Sequence, residues 1–258
     1  MSDKLVEVVE RNKSVIELVI GPPPSNIVSE AVMGEVMGHI EKINSEPDSK
    51  LIILTGAGNH FSYGASVPEH TPEKVGSMIP KFHKFIDKIL SSPVPIMAKV
   101  KGRCLGGGFE TAIACHLIFA EKTASFAVPE IILGVFPPPA SALLPMMIGD
   151  SLANEIVLTG VAKSGEELKG CNLVNEVFDN SEAMEASINK FINNKIMPLS
   201  ASSLRKASQA VRYGVVTRYR EYIKKAEELY LKDLMSTHDA VEGITSFMEK
   251  RNPEWKNN

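Results

Sequence analysis

Apolar and polar positions alternate through two short runs near the start, Leu5–Glu10 and Ser14–Ile20, and the Arg11-Asn12-Lys13 step between them predicts a β-hairpin that Pro22-Pro23-Pro24 ends. The spacing then changes to three and four. Ser29 is placed to cap a helix running to about Glu46, before Pro47. Lys50–Thr55 holds Leu51-Ile52-Ile53-Leu54, too short and too uniformly apolar for a surface helix, and predicts a buried strand. After a long loop, Gly56–Thr71, Pro72 opens a helix to about Leu90 with Pro80 as a kink. Pro95–Lys101 reads as a strand, followed by a glycine turn and a helix from Gly107 to about Cys115. Strands are expected at His116–Glu121 and Ser125–Val128, and a loop at Pro129–Pro139. Helices at Ala140–Met147 and Ser151–Thr159, the capping-box segment Ser164-Gly165-Glu166-Glu167 and a strand at Leu173–Phe178 follow. From Ser181 onward the pattern is helical throughout, with Tyr219, Tyr222, Ile223, Ala226 and Tyr230 on one face of a single helix. Strands interleaved with helices and then a helical tail predict an α/β body with a C-terminal helical extension. The amphipathic tail helices either pack against other subunits or fold back on their own domain.

Composition narrows the function classes. The chain has 258 residues, 44% of them hydrophobic and 23% charged, enough for a substantial core and unlike a disordered chain. A net charge of −3 gives no electrostatic reason to expect nucleic acid as the main partner. Cys104, Cys115 and Cys171 are odd in number and lack metal-ligand spacing, which suits a reducing cytoplasm. Charges at Asp3, Lys4, Glu7, Glu10, Arg11 and Lys13 interrupt the N-terminal stretch, so neither a signal peptide nor a membrane span is expected there. No metal is expected either, since the six histidines form no H-E-x-x-H or paired Cys/His pattern.

Three segments carry candidate chemistry. Leu105-Gly106-Gly107-Gly108-Phe109-Glu110 joins a strand to a helix, and its glycines leave backbone N–H groups unscreened at the positive end of a helix dipole. Glu110, three residues past Gly107, stands on the same helical face. A tight turn in which glycine serves packing alone is an equally open reading of this cluster; it matches neither G-x-G-x-x-G nor a P-loop. Glu130, bracketed by Pro129 and Ile131-Ile132-Leu133, is costly to bury as an ion, so a raised pKa is expected if it is buried; an exposed loop glutamate is the plainer reading. Two such carboxylates in one apolar pocket could divide acid and base roles. In Phe61-Ser62-Tyr63-Gly64-Ala65-Ser66, Gly64 permits a backbone angle that turns the Ala65 N–H toward a ligand. His70, next to Glu69, could line a pocket, but a solvated loop histidine is the plainer reading, and Ser200, Ser202 and Ser203 are read as helix caps.

Taken together, these segments resemble the crotonase (enoyl-CoA hydratase/isomerase) superfamily. The resemblance rests on Leu51 to Gly56, Phe61 to Ser66, Gly102 to Glu110, Pro129 to Gly134 and Leu158-Thr159-Gly160. It implies a crotonase-type spiral of ββα units over residues 1–195 and a C-terminal helical region over 196–258, which serves oligomerisation and covers the active site. It also implies an oxyanion hole from the N–H groups of Ala65 and Gly107, catalytic carboxylates at Glu110 and Glu130, and substrate contacts from Tyr63, Ala65, Val67 and Gly106. The implied partner is an acyl-CoA thioester, with no nucleic acid, no membrane and no cofactor beyond the CoA of the substrate, in a cytoplasmic homotrimer or homohexamer. Two departures stand out. Ser66 occupies a place often taken by Asp, and Phe136-Pro137-Pro138-Pro139-Ala140-Ser141 replaces a glycine-rich turn. These, with Phe61 to His70 and Leu234 to Gly243, are similar to the hydratases of cyclic dienoyl-CoA thioesters in anaerobic benzoyl-CoA degradation. Hydration of a linear enoyl-CoA and double-bond isomerisation are the alternatives on the same scaffold, and retention of both glutamates favours hydration. A non-catalytic acyl-CoA or RNA binder is the remote alternative.

Overall fold

The computed structural model describes residues 5–258, so the reading of Met1–Lys4 as part of a non-signal N-terminus lies outside the described residues. Nine strands and nine α-helices are found among them. The hairpin forms from β1 (Val6–Asn12) and β2 (Val15–Ile20), and α1 (Glu30–Ser45) follows with Ser29 accepting from the Val32 N–H at its N-terminus. Next come β3 (Leu51–Gly56), α2 (Pro72–Leu90), β4 (Ile96–Val100), β5 (Arg103–Leu105) and α3 (Gly107–Ala114). The middle of the chain supplies β6 (Leu117–Glu121), β7 (Ser125–Ala127), α4 (Pro138–Ile148), α5 (Asp150–Thr159), β8 (Lys163–Ser164), α6 (Gly165–Gly170) and β9 (Glu176–Phe178). The C-terminal part is α7 (Ser181–Phe191), α8 (Ala201–Glu228) and α9 (His238–Met248), with π-helical turns at Ile192–Ile196 and Leu229–Asp233.

The strands form two sheets. The larger runs β1-β2-β3-β4-β6-β9, parallel from β2 onward; the smaller runs β5-β7-β8. Parallel sheets are covered on both faces, which accounts for the uniformly apolar β3. Ile52 and Leu54 enter the main core, while Leu51 and Ile53 face a second cluster with Met184, Ile188, Ile192 and Ile196. The C-terminal helices fold back on their own domain: Tyr219, Ile223, Tyr230, Ala240 and Ile244 belong to the same apolar cluster as the sheet. Helix α8 is fastened to α2 through Tyr219 Oη, which donates to the His83 carbonyl at 3.2 Å, the His83–Glu227 pair at 2.7 Å, and Arg220 forking onto Asp87.

The structure corrects several boundaries. The predicted loop Pro129–Pro139 contains a 3₁₀ turn, Pro129–Leu133, and α4 begins at Pro138 rather than Ala140. The strand expected from Leu173 starts at Glu176, because Leu173 and Val174 turn back to bond the Leu168 carbonyl. Tyr222 is 52% exposed and leaves the buried face of α8, and the helix expected to hold Tyr230 gives way to a π turn there. The chain is not helical to its end: residues 252–258 run without regular structure, with Asp239 accepting from the Lys256 and Asn257 N–H groups. None of the helices among the described residues is long and apolar enough to cross a membrane.

Candidate active site

Strand β5 feeds α3 through Gly106, whose backbone (φ +50°, ψ −128°) is one that side chains disfavour. A Cβ there would also stand 2.6 Å from Glu130 Oε1, so a glycine is what lets the second carboxylate approach this turn. Gly107 is the first residue of α3, and its N–H is among the helix's unpaired amides. The loop that ends at Ala65 is laid along β5: the Ser62 N–H donates to the Arg103 carbonyl at 3.1 Å and the Leu105 N–H to the Ser62 carbonyl at 3.0 Å. Phe61, fully buried, anchors it, and Gly64 turns it at φ +113°. A Cβ on Gly107 would stand 3.0 Å from the Ala65 nitrogen, so the two amides lie side by side. Neither has a hydrogen-bond acceptor among the described residues.

At position 66 the loop is held through the main chain. The Ser66 carbonyl accepts from the Glu69 N–H at 2.9 Å and meets His70 Nδ1 at 2.9 Å, which closes the short 3₁₀ turn Val67–Glu69. Glu69 in turn accepts from the Glu30 N–H at the start of α1. His70 takes the less plain of its two readings and lines the cavity, and burial holds its pKa below the usual histidine value.

Glu110 is 3% exposed on α3, and its Oε1 accepts from the Ala140 N–H at 2.9 Å. The triple proline explains that contact. Pro138 and Pro139 begin α4 without amide hydrogens, so Ala140 carries the first free N–H of the helix, and it points at the carboxylate with the positive end of the dipole behind it. Glu130 reaches the same place from the 3₁₀ turn; it is half-buried, and its Oε2 is shielded from solvent with no protein partner. Burial first, and then the Glu130 charge, push the Glu110 pKa well above the usual carboxylate value; burial pushes Glu130 up to about 7. Two carboxyls so placed titrate as a pair, and burial favours the protonated form of each.

Tyr63, Ala65, Val67, Gly106, Gly107, Glu110 and Glu130 all line one cavity of about 90 Å³. Its remaining wall is mostly apolar: Met78, Ile79 and Phe82 from α2, then Leu133, Val135, Phe136 and Ile244. Sequence reasoning missed Phe82 and Tyr230 as wall residues, since each reads as an ordinary core position of a helix. It also missed Ala140, which only the N–H-less prolines before it could have signalled. The geometry offers two unpaired amides on one side and a coupled carboxyl pair on the other, a layout suited to charge developing on a carbonyl oxygen during proton transfer.

A model of the enoyl-CoA hydratase/isomerase family matches residues 10–258. A cyclohexa-1,5-dienecarbonyl-CoA hydratase of Thauera aromatica is 39% identical over 96% of this chain and 95% of its own. A probable enoyl-CoA hydratase of Bacillus subtilis is 31% identical over 94% of this chain and 95% of its own. The crystal structure of an enoyl-CoA hydratase from Bacillus anthracis superimposes with a TM-score of 0.77 at 28% identity, covering 99% of this chain and all of that one. The fold, the cavity and these near-full-length likenesses agree: the chain belongs to the enoyl-CoA hydratase/isomerase family and has the crotonase fold.

Proposed function

We propose that this protein is a hydro-lyase that adds water to a conjugated cyclic dienoyl-CoA, converting cyclohexa-1,5-diene-1-carbonyl-CoA to 6-hydroxycyclohex-1-ene-1-carbonyl-CoA. The observation that carries the reading is the pairing of two buried carboxyls with two adjacent free amides in one small apolar cavity. The likeness to the Thauera aromatica hydratase supports the cyclic substrate. So does the cavity, whose volume and ring of prolines and aromatics suit a compact acyl group.

In this reading the thioester carbonyl accepts from the Ala65 and Gly107 amides. Negative charge moves onto that oxygen as water adds, so the donors bind the transition state better than the ground state; each is worth roughly 3 kcal/mol. Glu110 is the base. The Ala140 N–H orients this carboxyl and favours its ionised form against the upward push of burial and of the Glu130 charge, and Glu130, raised to about 7, supplies the proton to carbon. Glu110 takes a proton from water as the oxygen bonds to C2, the C1=C2 electron pair moves onto the thioester oxygen to give a dienolate, and as that charge returns through C1 and C6 Glu130 protonates the far vinylogous carbon C5. The reaction is redox-neutral and its activation resides in the thioester, so no metal, flavin or nicotinamide enters the proposal. Tyr63, Val67 and Gly106 contact the thioester near the mouth of the cavity. The protein acts in the cytoplasm as a homotrimer or homohexamer.

Hydration of a linear enoyl-CoA is the second reading, favoured by the likeness to the Bacillus subtilis protein. Incubation with the cyclic dienoyl thioester and with crotonyl-CoA, followed by ultraviolet loss of conjugation and product mass, separates the two. Faster turnover of the cyclic substrate with a gain of one water supports the proposal; turnover of crotonyl-CoA alone overturns it.

A further inference from the structure

Among the described residues, five buried side-chain polar atoms have no hydrogen-bond partner in the protein, and two of them, Glu130 Oε2 and Tyr230 Oη, belong to residues that line the same cavity. An unpaired buried phenol costs free energy comparable to a lost hydrogen bond, so it calls for an explanation. Packing alone does not supply one. The ring of Tyr230 meets Phe136 edge-on at 5.3 Å and is 1% exposed, contacts that a phenylalanine would make equally well. The backbone is also specialised here. Tyr230 lies in the π turn Leu229–Asp233, a register shift that leaves Leu229 52% exposed while burying its neighbour; such turns collect at functional sites.

We propose that Tyr230 is a further catalytic residue: its phenol donates a hydrogen bond to the oxygen being added, between Glu110 and Glu130. The inference rests on the hydratase reading above. Burial, then the charges of Glu130 and Glu110, push the Tyr230 pKa above its ordinary value, so the phenol keeps its proton throughout. As Glu110 withdraws a proton from water, that oxygen gains hydroxide character before its bond to carbon is complete. A neutral donor binds the developing charge better than it binds water. In the reverse direction the same contact assists departure of the hydroxyl. Proton bookkeeping closes without the tyrosine: one proton passes from water to Glu110, another from Glu130 to carbon, and the pair is left with as many protons as before.

Tyr230→Phe removes one oxygen and leaves the ring. Wild type and Y230F are compared for kcat, KM and melting temperature with both cyclohexa-1,5-diene-1-carbonyl-CoA and crotonyl-CoA. The expected result is a roughly 10- to 100-fold loss of kcat, with KM within about threefold and a melting temperature no lower than wild type. Wild-type kcat in Y230F, or a raised KM with kcat unchanged, overturns the role and leaves a packing residue. If the wild type hydrates only crotonyl-CoA, the cyclic-substrate reading falls and the Y230F ratio on crotonyl-CoA decides the tyrosine. A wild type inert toward both thioesters overturns both.

Discussion

Ala140 is a small apolar residue with no chemistry of its own, yet its N–H is the one contact among the described residues that opposes the upward push of burial and of the Glu130 charge on Glu110. Ala140→Pro keeps a residue tolerated in a first helical turn and deletes only that donor. Loss of the contact raises the pKa of Glu110, so the acid limb of the pH–rate profile should move to higher pH and kcat at pH 7 should fall about tenfold. Profiles from pH 5 to 9, with circular dichroism to verify folding, check this. Glu130 gives a stability prediction of opposite sense to most carboxylates. Its folded pKa, about 7, lies above its unfolded value, so the folded state binds the extra proton. Its contribution to stability is therefore fully present below the unfolded pKa and lost as pH rises through about 7, with a ceiling of about 3 kcal/mol. Glu130→Gln should melt several degrees above wild type at pH 8, and that gain should vanish toward pH 4.5. Thermal melts across that range would show the trend, and a pH-independent difference would refute it.

Short elements hold these residues, and their legibility in the sequence varied for physical reasons. Ser29 and Ser164 carried capping signals that the structure realises, the latter with Glu167 bonding back to the Ser164 N–H at 2.8 Å. Ser164→Ala should therefore cost about 1 kcal/mol in denaturant unfolding and leave kcat unchanged. Strands β5 and β8, three and two residues long, have too few positions to show a period and went unread. The prolines before Ala140 read as a loop because Pro more often ends regular structure; here its fixed φ opens α4. At Gly106 the glycine signal was plain, but two readings stayed open until Glu130 Oε1 was found where its Cβ would stand. Gly106→Ala brings both the strained backbone and that clash, and should abolish turnover while lowering stability by roughly 1–3 kcal/mol. Full activity in G106A would show that Glu130 need not approach this turn.

Across the whole molecule, the site is assembled from elements distant in sequence. The loop ending at Ala65 rests on β5, α3 lifts Glu110 into the core, the turn after β7 brings Glu130, and the C-terminal part closes the wall with Tyr230 and Ile244. Helix α9 backs the Glu130 turn so closely that a Cβ on Gly243 would stand 2.1 Å from the Leu133 carbonyl oxygen. Periodicity disclosed the layers, and the family resemblance joined Glu110 to Glu130. The part played by the C-terminal region in the cavity was hidden, because a buried tyrosine on an amphipathic helix is indistinguishable in sequence from core. What the assembly achieves is a pair of carboxyls with raised pKa values opposite two free amides. Steady-state kinetics of Glu110→Gln and Glu130→Gln with cyclohexa-1,5-diene-1-carbonyl-CoA test it most directly. Each variant should lose at least about 100-fold in kcat while binding the thioester nearly as well as wild type; near-normal turnover in either would contradict the two-carboxyl mechanism.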